Sequence, residues 1–269
     1  MDNLKMLTEN YLEYCKNQKR LDYKTIKAYR IDLRQFSEWF LSTDILEITP
    51  AILEAYIARL HQKYKPKTVK RKIASTKALF HYLEYKEVIA INPFNKIQVK
   101  FREPVILPKT IPLHTVEVFL STIYKQRTEA KTDYQRKNAL RDIAVIELLF
   151  ATGIRISELC SLKMSDVNLY DKTVLIYGKG SKERKVQIVN NDVANILDEY
   201  KNGFLSEMQS CNHFFVNQNG TVLSDQSVRR MIKKYSSLAA IELHITPHMF
   251  RHPYVKPTTK KFLSFFKFE

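Results

Sequence analysis

The feature that most constrains the fold of this chain is a proline-rich segment near its middle. Pro104, Pro108 and Pro112 fall within nine residues. Proline fixes φ and lacks a backbone N–H, so this stretch cannot continue a helix and favours an extended, fairly stiff connector. It is therefore the best domain boundary in the 269 residues, a length that suits one large domain or two ordinary ones and can bury a proper core.

The part before the prolines is predicted to form four helices. Residues 23–41 carry apolar side chains at helical spacing, so one stripe of this helix packs inward. Thr49–Pro50 and Pro66 are helix start signals, because proline suits the first helical position. Together with a shorter helix over residues 4–16, these segments are typical of a small helical bundle.

The part after the prolines is predicted to mix helices with short strands. Two β-type runs, 173–177 and 185–189, flank a turn in which glycines lie on both sides of Lys179. The other predicted elements are helices over 113–120, 139–150, 192–201 and 225–238, a strand over 213–216, and a last helix opening at Thr246–Pro247. The predicted fold class is mainly α with a small β-hairpin or sheet.

The charge and the composition favour a polyanionic partner. The chain has 44 Lys and Arg against 28 Asp and Glu, a formal net charge of +16. Such an excess raises affinity for nucleic acid, with generic solubility charge as the alternative. The apolar runs are too short for a bilayer span, and no secretory signal or nucleotide-binding glycine motif is visible. Isolated Cys15, Cys160 and Cys211 predict free thiols in a cytoplasmic protein rather than disulfides or a zinc site.

One predicted helix carries charge of a single sign. No acidic residue lies between Glu54 and Glu84, whereas a solvated helix face normally mixes both signs. A one-sign face favours a DNA phosphate track, with the compensating charge on the partner, over a plain exposed face. The candidate DNA-binding residues of this helix are Lys65, Lys67, Lys70, Arg71, Lys72 and Lys77.

Three short motifs place cations in a pattern that suits chemistry on a phosphate. Arg155 follows a buried helix and is anchored by apolar neighbours, and Lys179 and Lys182 occupy the predicted turn. His248 and Arg251 lie one turn apart at the start of the last helix, where free backbone N–H groups favour an anion. Such a set can stabilise a charged transition state without a metal. Taken singly, Arg155 could form a surface salt bridge and His248 could be a core histidine.

Taken together and in order, the three motifs resemble those of a known family. ATGIRISEL, GKGSKER and TPHMFRH are similar to the motifs of the tyrosine recombinases, or phage integrases, and most similar to the Xer-type and transposon-integrase branch. YKTIKAY and NPF resemble that family's SAM-like core-binding domain. The resemblance implies a SAM-like four-helix core-binding domain over 1–100, a linker over 101–112, an α+β catalytic domain over 113–252 and an atypical tail over 253–269.

The resemblance also implies roles for individual residues. Arg155 and Arg251 would grip the non-bridging oxygens of a scissile phosphate, and His248 would assist proton transfer. Lys179 would protonate the departing 5′ oxygen. Glu158 resembles a residue that supports the site without taking part in the chemistry.

The implied reaction is site-specific strand exchange through a 3′-phosphotyrosyl intermediate, with no metal, ATP or other cofactor. Lys182 is a second candidate for the role of Lys179 and a candidate DNA contact, since hairpin lysines are mobile. The implied partner is double-stranded DNA that carries specific recombination sites. The protein is expected to act on it as an oligomer, a tetramer, with no membrane involved.

The resemblance stops after His252. In the family the chain continues into a longer helix, a second histidine or tryptophan, and the nucleophilic tyrosine, all farther on than the seventeen residues that follow here. Pro253 and Pro257 oppose that helix. We therefore expect a chain truncated by a lost reading frame, in which Tyr254 is not the nucleophile and only a different, full-length partner could supply one.

Two other interpretations stay open at this point. A non-catalytic DNA-binding protein that occupies recombination sites would share every feature except turnover. A basic RNA-binding or membrane-surface protein would explain the charge but leave the ordered motifs as a coincidence.

Overall fold

Helices account for most of the chain in the computed structural model, which describes residues 4–41, 43–99, 101, 110–178 and 182–250 and the backbone of Arg251. The chain divides into two units, Met1–Val105 and Ile106–Glu269, each with its own hydrophobic core. The described strands form one small antiparallel sheet. The predicted fold class, mainly α with a small sheet, is confirmed.

The first unit contains the four predicted helices. These are α1 (Leu4–Asn17), α2 (Tyr23–Trp39), α3 (Pro50–Lys63) and α4 (Pro66–Tyr85), with short 3-10 helices at Ile45–Glu47 and Pro93–Lys96. Thr49 caps α3 as predicted, since its side chain accepts a hydrogen bond from the backbone of Ile52 at 3.4 Å. Phe36 on α2 is fully buried and packs edge-on against Phe80 of α4 and Tyr56 of α3.

The second unit is built around one buried helix. Its helices are α5 (Leu113–Thr128), α6 (Asp133–Thr152), α7 (Ile156–Ser161), α8 (Asn191–Gly203), α9 (Leu205–Cys211) and α10 (Asp225–Leu238), with 3-10 helices at Met164–Asp166 and Pro247–Arg251. Its strands are β1 (Val167–Asn168), β2 (Thr173–Tyr177) and β3 (Glu183–Gln187). Helix α6 packs between α5 and α8, and its last three turns are buried on every side, as their apolar sequence predicts.

Several predicted boundaries in this unit are wrong. Strand β3 covers Glu183–Gln187 rather than 185–189, because Gly178 N–H donates to Lys182 C=O at 2.8 Å and pairing begins directly after that residue. Residues 213–216 form only an isolated bridge, Val216 to Val222, instead of a strand. Helices α5 and α6 are both longer than predicted.

The last predicted helix is a short 3-10 turn, Pro247–Arg251, among the described residues. Its backbone is closed by Met249 N–H, which donates to Thr246 C=O at 2.9 Å. In a 3-10 helix residues at i and i+3 lie one above the other, so the backbones of His248 and Arg251 still share one face. Residues 252–269, which include Tyr254, lie outside the described part.

Candidate functional site

Arg155 is held by the core at the junction of two helices. Helix α6 ends at Gly153, whose left-handed φ of 62° turns the chain. Ile154 and Ile156, on either side of Arg155, are buried, so the backbone between them is fixed. The Arg155 side chain is 52% exposed. The core therefore presents a positioned guanidinium to the surface, as the sequence predicts.

Glu158 lies beneath this arginine and pairs with it. One carboxylate oxygen accepts from Arg155 Nη1 at 2.7 Å, and the other accepts from the Arg155 backbone N–H at 2.9 Å. Arg184, on β3, donates to the same two oxygens at 3.2 and 2.7 Å. Burial raises the pKa of this carboxyl, but the hydrogen bonds from Arg184 and Arg155 outweigh burial and hold the pKa at about 2. Glu158 is therefore an anion that ties two arginines together.

The hairpin between β2 and β3 brings the backbone of Lys182 close to the guanidinium of Arg184. Lys182 is exposed just before β3. A Cβ built on Gly178 would lie 3.3 Å from Lys182 O and 3.4 Å from Arg184 Nη1, which is tighter than ordinary contact. A glycine at the end of β2 thus allows the close approach of Arg184. Lys179, the predicted general acid, lies outside the described residues.

His248 lies on the 3-10 turn that packs onto the end of α6. Its neighbours Met249 and Phe250 are buried, and the ring of Phe250 lies 4.4 Å, centroid to centroid, from that of Phe150. Phe150 is close in sequence to Arg155, so the same aromatic contact anchors both cationic motifs to one helix end. His248 itself is exposed. The side chain of Arg251 lies outside the described part.

The structure buries one of the basic residues of α4 that the sequence assigns to a phosphate track. Lys72 is 2% exposed and its ammonium pairs with Asp32 of α2 at 3.0 Å, and it also donates to Gln35. Arg71 contacts the same Asp32. The prediction of Lys72 as a DNA contact is wrong, because a buried, ion-paired lysine cannot reach a phosphate. The exposed cations of α4 among the candidates are Lys65, Lys67, Lys70, Arg71 and Lys77.

A second basic surface, on α10, was missed at the sequence level. Its exposed face carries Arg229, Arg230, Lys233 and Lys234, and its opposite face, which includes Met231, is buried. The signal was available in the sequence, as two pairs of basic residues separated by apolar ones at helical spacing. Arg184 was also missed as a site residue, because no short-range pattern connects it to Glu158, 26 residues earlier.

Two properties of the described residues bear on cofactors and membranes. Within the ranges given above, no group of three or more His, Cys, Asp or Glu side chains is arranged to hold a metal ion. In the same ranges no helix has the length and apolar character that a bilayer crossing requires.

Comparisons with known proteins place this geometry in context. Residues 121–255 match the phage integrase family, and residues 8–87 match the phage integrase N-terminal SAM-like domain. A tyrosine recombinase of Agathobacter rectalis is 67% identical over 254 residues, which are 94% of this chain and 83% of the relative. Tyrosine recombinase XerC of Thermodesulfovibrio yellowstonii is 31% identical over 265 residues, 94% of this chain and 83% of the relative. A lambda integrase tetramer bound to a Holliday junction shares the fold with a TM-score of 0.68 at 14% identity, covering 93% of this chain and 71% of that one.

Proposed function

We propose, from the premise that this chain belongs to the phage integrase family of tyrosine recombinases, that it cuts and rejoins DNA at specific sites with Arg155, Lys179, His248 and Arg251 as its catalytic residues. Residues 113–252 would form the catalytic domain and residues 1–100 the core-binding domain, joined by a linker over 101–112. The tail over 253–269 is given no role.

In the proposed chemistry the hydroxyl of a tyrosine, supplied by a full-length partner, attacks the scissile phosphate. The new P–O bond to tyrosine forms as the bond to the 5′ oxygen breaks, and the DNA 3′ end is left attached to the protein. Arg155 and Arg251 would neutralise the non-bridging oxygens, where charge builds up in the transition state. Lys179, or Lys182 in its place, would give a proton to the leaving 5′ oxygen, and His248 would assist proton transfer. None of the described residues is proposed as the nucleophile.

The observation that carries the proposal is the placement of Arg155. A half-exposed guanidinium is fixed between two buried residues and paired with a buried carboxylate. The Phe150–Phe250 contact sets the turn with His248 and Arg251 against the same helix end. A surface salt bridge would need neither feature. Positioned cations of this kind are what phosphoryl transfer requires, because its catalysis is mostly orientation and charge stabilisation.

DNA binding is proposed to use cations of both units. The exposed residues of α4 and α10 carry a single sign of charge over successive turns, which suits contact with phosphates. Lys182 would add a contact near the scissile phosphate. A tetramer on DNA, the arrangement of the lambda integrase that shares this fold, is proposed as the active assembly. The described cysteines are free, which suits the reducing cytoplasm, where we place the protein.

The test is covalent capture on DNA. A duplex site is first selected by binding from a random-sequence pool, and a nicked version is incubated with the full chain. A full-length relative that carries the tyrosine, and whose own first catalytic arginine is replaced, is added as the donor of the nucleophile. A denaturation-resistant adduct between this relative and the DNA is then expected, and Arg155→Ala in this chain is expected to abolish the adduct while only weakening binding. Lys185→Ala, which removes an exposed cation of β3, is the matched control and keeps the adduct.

Two outcomes would contradict parts of this proposal. Specific binding with no adduct, even in the presence of the full-length relative, would leave a DNA-binding protein without strand exchange. An adduct that the wild-type chain forms alone, and that disappears in Tyr254→Phe, would show that Tyr254 is the nucleophile, contrary to the expectation from the sequence.

A further inference from the structure

Arg184 and Arg155 compete for one buried carboxylate. Glu158 is 5% exposed, and each of its two oxygens accepts from both residues. Arg184 uses two guanidinium nitrogens, one on each oxygen, so it forms the two-point pair that arginine and carboxylate prefer. The Arg155 side chain contacts the carboxylate through Nη1, while its backbone N–H takes the second oxygen.

This division leaves the Arg155 side chain 52% exposed, with Nη1 as its contact to Glu158. A carboxylate has about four acceptor positions, and Arg184 and Arg155 donate to it four times in all. If Arg184 were removed, two of these positions would open beside Arg155. The guanidinium of Arg155 would then turn onto Glu158 and form the two-point pair itself. Its charge would be taken up by a carboxylate that is ionised at neutral pH.

We propose that Arg184 is a positioning residue, which occupies Glu158 so that the Arg155 guanidinium stays available to an oxyanion of the scissile phosphate. The inference rests on the proposed function, in which Arg155 binds that phosphate. It assigns Arg184 a task without contact with the DNA.

The charges of these residues allow a sharp test. The wild-type trio of two arginines and one glutamate has a net charge of +1, and Arg184→Ala brings it to zero. The double variant Arg184→Ala/Glu158→Gln returns it to +1 and removes the competing carboxylate. Lys185→Ala loses the same charge from the neighbouring, exposed position of β3 without a partner in Glu158. These variants separate a positioning role from a direct DNA contact and from a general loss of charge.

The probe is inorganic phosphate, titrated at neutral pH into the full chain with ¹⁵N-labelled arginine. The guanidinium signal of Arg155, assigned with Arg155→Lys, reports binding. Arg184→Ala is expected to weaken phosphate binding at Arg155 roughly tenfold, the size expected for loss of a charge-assisted contact. The double variant is expected to return to within about threefold of the wild type, and Lys185→Ala to change binding by less than about twofold. Arg184→Lys keeps the positive charge but cannot form the two-point pair with Glu158, so its phosphate affinity should lie between those of the wild type and Arg184→Ala.

The outcomes are distinct. Phosphate affinity in Arg184→Ala that equals the wild type would overturn the inference, and so would a double variant as weak as Arg184→Ala. If Arg184→Ala does not fold, Glu158→Gln alone decides the point: it should bind phosphate at least as well as the wild type, and a tenfold loss would overturn the inference. A wild-type chain whose Arg155 signal ignores phosphate would refute the proposed function of Arg155 itself, and the positioning role with it.

Discussion

Glu147 makes the stability of the second unit depend on pH. It is 2% exposed on α6 and accepts a hydrogen bond from the hydroxyl of Tyr124 at 2.9 Å. Burial raises the pKa of this carboxyl and the charge of Asp192 adds to the rise, whereas the Tyr124 hydrogen bond opposes it; together they bring the pKa to about 7. The folded chain therefore keeps a proton that the unfolded chain releases near pH 4.5.

The sign and the size follow from this difference. Below the unfolded pKa both states are protonated, and the group has no effect on stability. Between the two pKa values the folded state binds more protons, so the free energy of unfolding falls by about 1.4 kcal/mol per pH unit. Above the folded pKa the loss levels off at about 3 kcal/mol, from a shift of 4.5 to about 7. Glu147→Gln, which cannot ionise, should remove this slope.

The assay is urea unfolding from about pH 5 to pH 8, with pulsed hydrogen exchange of α6 peptides as the probe of the second unit. The single tryptophan, Trp39, lies in the first unit, so its fluorescence is an internal control that should not respond to Glu147→Gln. The loss of stability from pH 5 to pH 8 should be smaller in Glu147→Gln than in the wild type by about 2.5 kcal/mol, because pH 5 already lies above the unfolded pKa. An equal slope in the two proteins would refute the assignment of this titration to Glu147.

Three further predictions concern the core, the DNA surface and the site. Asp32→Asn should destabilise the first unit by about 3–5 kcal/mol, because it leaves Lys72 buried without a counter-charge. Urea unfolding followed by Trp39 fluorescence measures this loss, and a recovery of stability in Asp32→Asn/Lys72→Met would show that the unpaired charge of Lys72 causes it. Lys67→Ala should lower the slope of log affinity against log salt by about 1, whereas Lys72→Met should leave this slope unchanged. Fluorescence anisotropy of DNA binding over a salt series measures the two slopes, and equal effects of the two substitutions would contradict the burial of Lys72. Phe250→Ala should lower the free energy of unfolding by about 3–5 kcal/mol, and Phe250→Leu should lower it less. Thermal unfolding measures both, and an unaffected melting temperature would argue against the packing of this turn on α6.

The helical bundle of the first unit was predictable from short stretches of sequence. Thr49 and Pro50 mark the start of α3, and the structure places the cap there. The apolar stripe of α2 is the face that becomes buried. Such signals act within about one helical turn, so they can be recognised without knowledge of the rest of the fold.

The strand boundaries were less predictable because pairing depends on the partner strand. The apolar residues Val186 and Ile188 suggested a strand that starts at 185. The closure of the turn between Gly178 and Lys182 instead pairs Glu183 with Tyr177. Residues 183 and 184 are polar and exposed, and nothing in their own sequence marks them as strand.

The candidate site shows the same division between local and distant information. The order of the motifs with Arg155, Lys179, His248 and Arg251 is a property of the sequence, and it sufficed to indicate the family. The contact between Glu158 and Arg184 cannot be recognised in the local sequence, because it joins a helix to a strand across 26 residues. The anchoring of the His248 turn on Phe150 likewise requires distant segments to meet.

The proline-rich division of the chain, its helical character, its excess of positive charge and the order of its cationic motifs are all written in residues close to one another. The sequence does not show which of those charged side chains face solvent. Lys72 and Lys67 look alike in the sequence of α4, yet Lys72 is buried against Asp32, 40 residues away. Periodicity, capping and composition depend on residues close together in the chain, so they can be recognised in the sequence alone. An ion pair between elements exists only after packing brings its partners together, and packing alone separates a buried structural lysine from an exposed one that can meet DNA.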